Sequence, residues 1–117
     1  MKLVYVASPY AGDMEYNTEM AIQYCRHAVE QGVIPYAPHL LLTRFLDDLK
    51  PEERELGCNM GLEMLEKCDE LWCYGPRISA GMAAEIDHAE RLGIPTQYIP
   101  EIEMAQAEEH GMCMEMH

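Results

Sequence analysis

The chain has 117 residues, 49% apolar and 25% charged, which is the composition of one folded domain and not of a disordered segment. Its 21 acidic and 8 basic residues leave a net charge of −13, which argues against nucleic acid and anionic membrane as partners. The longest aliphatic run, Leu40-Leu41-Leu42, is far too short to span a bilayer, and the opening apolar stretch breaks at Pro9 before it reaches signal-peptide length. Five cysteines, odd in number and without Cys-x-x-Cys spacing, read as reduced thiols, so a cytoplasmic protein is expected. A core this small makes a homodimer or larger homo-oligomer the expected assembly.

Leu3-Val4-Tyr5-Val6-Ala7 suits a buried strand, closed by the turn-rich Ser8-Pro9-Tyr10-Ala11-Gly12-Asp13. Asn17 reads as the cap of a helix whose apolar positions are Met20, Ala21, Tyr24, Cys25 and Ala28, with Gly32 as its stop. Val33–Ala37 is a second strand, placed at a sheet edge by Pro35. A loop with Pro38-His39 and Asp47-Asp48 follows. Pro51, Glu52 and Glu53 open the next helix, with Cys58, Gly61, Leu62 and Leu65 facing the core. Glu70–Tyr74 is a third strand, and Ser79 caps a helix to about Leu92 with Met82, Ala83, Ile86 and Ala89 inward and Gly93 as its stop. Pro95–Ile99 is a fourth strand.

Strands alternating with helices across short loops imply a doubly wound, flavodoxin- or Rossmann-like parallel sheet of four to five strands, with helices on both faces and the first strand inside. Residues 1–100 form that domain, and 101–117, rich in Glu and Met, an appendage to it. His110, Cys113 and His117 with Met112, Met114 and Met116 are soft donors, but their spacing is too loose to define a metal site.

In such a sheet, ligands sit beyond the carboxyl ends of the strands. The segments there are Ser8–Asp13 with Tyr10, Pro38-His39, and Gly75–Gly81. Ser79-Ala80-Gly81-Met82 sets a hydroxyl and free amides at a helix start, which suits a phosphate or carboxylate. Glu85 follows on the flank of the inward stripe, where the helix dipole is expected to favour its ionised form. Ser79 also has the plain role of a cap, Asp69 that of a residue ending a helix, and His88 points away from the apolar stripe.

Tyr5-Val6-Ala7-Ser8-Pro9-Tyr10, Cys68-Asp69-Glu70-Leu71-Trp72, Ser79-Ala80-Gly81-Met82-Ala83-Ala84-Glu85-Ile86 and Leu92-Gly93-Ile94-Pro95 resemble the nucleoside 2-deoxyribosyltransferase superfamily. They resemble most its compact phage and bacterial branch, and they are similar to the 2'-deoxynucleoside 5'-monophosphate N-hydrolases in the Ser-x-Gly-x-x-x-Glu spacing. The resemblance covers roughly residues 1–99. It implies cleavage or transfer of an N-glycosidic bond, with Glu85 attacking the anomeric carbon, Ser79 and the Gly81 amide holding a 5'-phosphate or 5'-hydroxyl, and Tyr5 and Ser8 lining the pocket. Tyr10, His39 and Met82 complete the expected substrate contacts. The aspartate that the hydrolases carry before the third strand falls at Gly61, and their first-loop arginine at Ala11. Acid/base help would then come from Glu63, Asp69 or Asp13. No metal or organic cofactor is required by such chemistry; the expected partner is a small nucleoside or nucleotide. A non-catalytic nucleotide-binding or sensing module is the alternative.

Overall fold

The computed structural model describes residues 1–102. Within them the elements run β1 (Leu3–Ala7), α1 (Met14–Glu30), β2 (Ile34–Tyr36), α2 (Pro38–Leu41), a 3-10 turn (Leu42–Arg44), α3 (Pro51–Leu65), β3 (Glu70–Tyr74), α4 (Ala80–Leu92) and β4 (Thr96–Ile99). The four strands are all parallel in the order β2-β1-β3-β4, so β1 is interior and β2 is an edge, as the sequence implies. The appendage proper, with His110, Cys113 and His117, lies outside the described residues.

Side chains alternate across a pleated strand, so each central strand feeds two layers. Tyr5, Ala7, Leu71 and Cys73 point to one face, where they meet Leu65 from α3 and Met82 and Ala89 from α4. Val4, Val6, Trp72 and Tyr74 point to the other, against Tyr24 and Ala28 of α1 and Ala37. Helices therefore cover both faces. Among the described residues no helix is long and apolar enough to cross a membrane.

The local signals at α4 act as expected: the Ser79 side chain accepts from the Met82 amide, and Gly93 closes the helix in the left-handed region at φ 73°. Four local readings need correction. The cap of α1 is Asp13, whose carboxylate accepts from the Tyr16 amide. Asn17, one turn into the helix, instead donates to the carbonyls of Tyr10 and Ala11 and ties down the preceding turn. Pro38-His39 is not loop but the first turn of α2, with the proline where a helix needs no N–H. Cys58 and Ala83 are exposed rather than in the core: Cys58 opens onto a cavity beyond the strand ends, and the Ala83 side of α4 turns away from the sheet.

Candidate active site

Three strand ends meet at β1 and its neighbours, and the chain leaves each of them on the same edge of the sheet. A cavity of about 390 Å³ opens there. Tyr5 and Ser8 line it from β1 and its exit, His39 from α2, Gly57, Cys58 and Gly61 from α3, and Ser79, Gly81, Met82 and Glu85 from the α4 side. Its position matches the crevice that parallel sheets leave where successive crossovers diverge to opposite faces.

Glu85 faces this cleft from α4. The Tyr5 hydroxyl, on a ring fully buried in β1, donates to its carboxylate. Burial pushes the Glu85 carboxyl up to about 7, and the tyrosine hydrogen bond opposes that rise only in part. This reverses the expectation that the helix dipole keeps Glu85 ionised: it lies beyond the first turn of α4, where the dipole has faded and desolvation decides. The Tyr5 hydroxyl is itself driven strongly upward by burial and then by the adjacent carboxylate, so it remains a proton donor.

A glycine makes room for this pair. A Cβ at Gly61 would stand 2.8 Å from the Tyr5 oxygen, closer than real carbon–oxygen contacts allow. On the opposite wall, Ser8 is buried with its Oγ 3.3 Å from His39 Nε2. Tyr10 stacks on the His39 ring at 5.0 Å between centroids and 24° between planes. Burial holds His39 well below its usual range, to about 4, against a smaller opposing influence of Asp48, so the ring is neutral at physiological pH.

The residues expected at the site thus divide. Tyr5, Ser8, Tyr10, His39, Ser79, Gly81, Met82 and Glu85 line one cavity. Glu63 and Asp69 do not. Glu63 is on the exposed face of α3. The Asp69 carboxylate accepts from the Leu3 amide at 2.8 Å, which fixes it at the start of β1, the opposite end of the sheet. Asp13 is occupied as the α1 cap. His88 is not free in solvent but lies 2.9 Å from Glu66.

The cleft supplies other charged groups that local patterns did not single out: Asp48 and Glu53 before and at the start of α3, Arg54 on α3, and Arg77 on the β3–α4 exit. Glu53 is engaged, accepting from the Asp47 amide at 2.8 Å and lying 3.7 Å from Lys50. Asp48 is half-buried and makes no hydrogen bond or ion pair among the described residues. Among the described residues no group of three or more His, Cys, Asp or Glu side chains is placed to hold a metal ion.

The chain is thus an α/β protein whose open parallel sheet carries a tyrosine-bound carboxylate in a cleft at its carboxyl edge. The chain belongs to the family described as a domain of unknown function, DUF7768, whose model matches residues 2–99. No curated protein matches it. Among solved structures it is similar to a 2-deoxyribosyltransferase from the psychrotolerant bacterium Bacillus psychrosaccharolyticus, with 21% identity over 86% of this chain and 76% of that one and a TM-score of 0.62. It is also similar to a conserved protein from Enterococcus faecalis V583, with 24% identity and a TM-score of 0.55, over 84% of this chain and 62% of that one. The chain therefore spans less than two thirds of the second structure's length. The fold is that of a 2-deoxyribosyltransferase.

Proposed function

We propose that the protein cleaves or transfers the N-glycosidic bond of a nucleoside or nucleotide through a glycosyl-enzyme on Glu85. The observation that carries this reading is the Tyr5–Glu85 pair facing the cavity: a carboxylate set at the reacting edge of the sheet, partly desolvated, with one oxygen held by a buried hydroxyl. Such a group is a poised nucleophile rather than a surface charge. The similar 2-deoxyribosyltransferase structure supports the same substrate class.

In the first step a Glu85 oxygen bonds to C1' as the C1'–N bond breaks, its electron pair leaving with the base through an oxocarbenium-like transition state. Asp48, the unengaged second carboxylate of the cleft, delivers a proton to the departing base. In the second step water, or another base, attacks C1' and regenerates the Glu85 carboxylate, while Asp48 takes up the proton lost by the attacking group. The Tyr10–His39 stack offers a flat surface for the base, and Ser79 with the α4 amides a polar seat for the other end of the sugar. The site functions within a homodimer or larger assembly.

The test is base release from a panel of nucleosides and nucleotides, followed by chromatography, for wild type and Glu85→Ala. Alanine offers no oxygen to C1', so release should vanish while binding persists; retained release ends the proposal. A 2-fluoro-substituted deoxynucleoside should leave a mass adduct on Glu85. Binding without release by the wild-type protein would instead leave a nucleotide-binding module.

A further inference from the structure

With 21 acidic residues and 8 basic ones, acidic partners outnumber cations, and four of the eight cations meet one. Lys2 lies against Glu70, Arg26 against Glu30, Lys50 against Glu53 and Arg91 against Asp87. Arg44 donates to the Leu40 carbonyl. Among the described residues, Arg54, Lys67 and Arg77 have side chains with neither ion pair nor hydrogen bond, and both arginines of that set line the cleft. Both are exposed at the cavity's open side, so in a protein this acidic the cleft presents two solvated guanidinium groups that are available to an anionic occupant.

Arg54 comes from α3, and its charge acts on the Cys58 thiol one turn along the same helix. Arg77 comes from the β3–α4 exit, two residues before Ser79. Next to it, the Ser79 hydroxyl is engaged with the Met82 amide, whereas the Ala80 and Gly81 amides precede the first internal bond of the helix and point out of its start. The same cavity presents an aromatic pair, Tyr10 and His39, with His39 uncharged. The occupant that fits has a flat neutral portion and an anion of two or more oxygens, which a guanidinium fork matches better than any single hydroxyl does.

We propose that Arg54 and Arg77 form the anion-binding end of the cleft, and that the substrate is a nucleoside bearing a phosphate monoester rather than a free nucleoside. This deepens the reading above and rests on it for the nucleoside portion. Neither arginine belongs to the helix-start motif, and neither touches the Tyr5–Glu85 pair through any hydrogen bond of the structure.

The experiment is calorimetric titration of Glu85→Gln protein, which holds substrate without turnover, with deoxyadenosine, deoxycytidine and their 5'-monophosphates. It is repeated on that background with R54Q, R77Q and both together, each checked for an unchanged melting temperature. The monophosphates should bind at least about tenfold tighter than the nucleosides, since a hydrogen bond to a charged group contributes roughly 1.5–3 kcal/mol. Each arginine substitution should weaken monophosphate binding by about 10-fold or more and leave nucleoside binding within about threefold. Equal affinity for the two ligand classes, binding of neither, or a phosphate preference that survives the double substitution overturns the proposal. Its failure is separable from that of the glycosidase reading. Monophosphate binding through these arginines without base release by the wild type sinks only the catalytic reading. Base release from free nucleosides as fast as from monophosphates sinks only this one.

Discussion

Gly61 and the Tyr5 hydroxyl share one small volume: the absent Cβ of the first would lie 2.8 Å from the oxygen of the second, with the next ring atom at 4.0 Å. Tyr5 is fully buried, so its ring has no route of escape. Gly61→Ala should therefore destabilise the protein by about 1–3 kcal/mol, the usual cost of overpacking. In a Tyr5→Phe background the obstructing oxygen is gone, and the same substitution should become neutral or favourable by up to about 1 kcal/mol, the helix propensity of alanine over glycine. Denaturant unfolding of the four proteins gives the coupling directly. Additive effects would show that the two groups do not compete for this space.

Glu85 should make both activity and stability depend on pH. Burial raises its folded-state carboxyl from 4.5 to about 7, so the folded protein binds this proton more tightly than the unfolded chain. The resulting contribution to stability is fully present below about pH 4.5 and is lost as pH rises through about 7. Glu85→Gln, which cannot ionise, should match wild type near pH 4 and exceed it near pH 8 by up to about 3 kcal/mol, at roughly 1.4 kcal/mol per unit. Melting curves at several pH values check this; a difference independent of pH contradicts it. On the proposed mechanism the nucleophile is the ionised form, so the Glu85 limb of the kcat/KM profile should climb with pH through about 7.

In the first step Asp48 is expected to matter only where the leaving base needs a proton, so base release is followed in a single turnover. Asp48→Asn should slow base release from ordinary deoxynucleotides by about 10²–10⁴-fold, the range of general acid–base assistance. For a 7-methylguanine deoxynucleotide, whose base departs neutral without being protonated, the loss should be far smaller. Equal losses on both substrates would remove Asp48 from the proton-transfer role, whereas Glu85→Ala should abolish both reactions.

Assembly is the fourth expectation. Phe45 and Leu49, on the segment between the 3-10 turn and α3, are 63% and 76% exposed, which is unfavourable for apolar side chains beside a ligand cleft. Light scattering should return at least twice the 13.4 kDa of one chain. A monomer at high micromolar concentration would contradict it.

The sheet was legible because its signals are local and redundant. Each central strand is a short run of large apolar residues bounded by Pro or Gly, and α4 carries both a serine cap and a glycine stop. Where two residues could serve one purpose, local pattern did not decide. Asp13 and Asn17 are both good caps, and only the turn at Tyr10–Ala11 gives Asn17 other work. At the site, Tyr5, Ser79 and Glu85 were visible through a compact motif and a strand. Asp48, Arg54 and Arg77 were not, since they come from separate elements that reach one cavity only when α3 lies across the sheet edge. Asp69 misled for the converse reason: it is close in sequence to β3 but at the wrong end of it.

Pro35 sits at the middle of β2, the three-residue strand that ends one side of the sheet. The Ile34 amide points inward, donating to the Lys2 carbonyl at 2.9 Å, so by the alternation of a strand the nitrogen of residue 35 points outward. A proline there has no hydrogen to offer. The outer rim of β2 is thus missing its central donor, and a foreign strand laid along it would find one bond fewer than a three-residue register requires. Proline at this position disfavours fibril-like growth of the sheet on that side, and it steers a partner that meets the chain near β2 toward side-chain contacts.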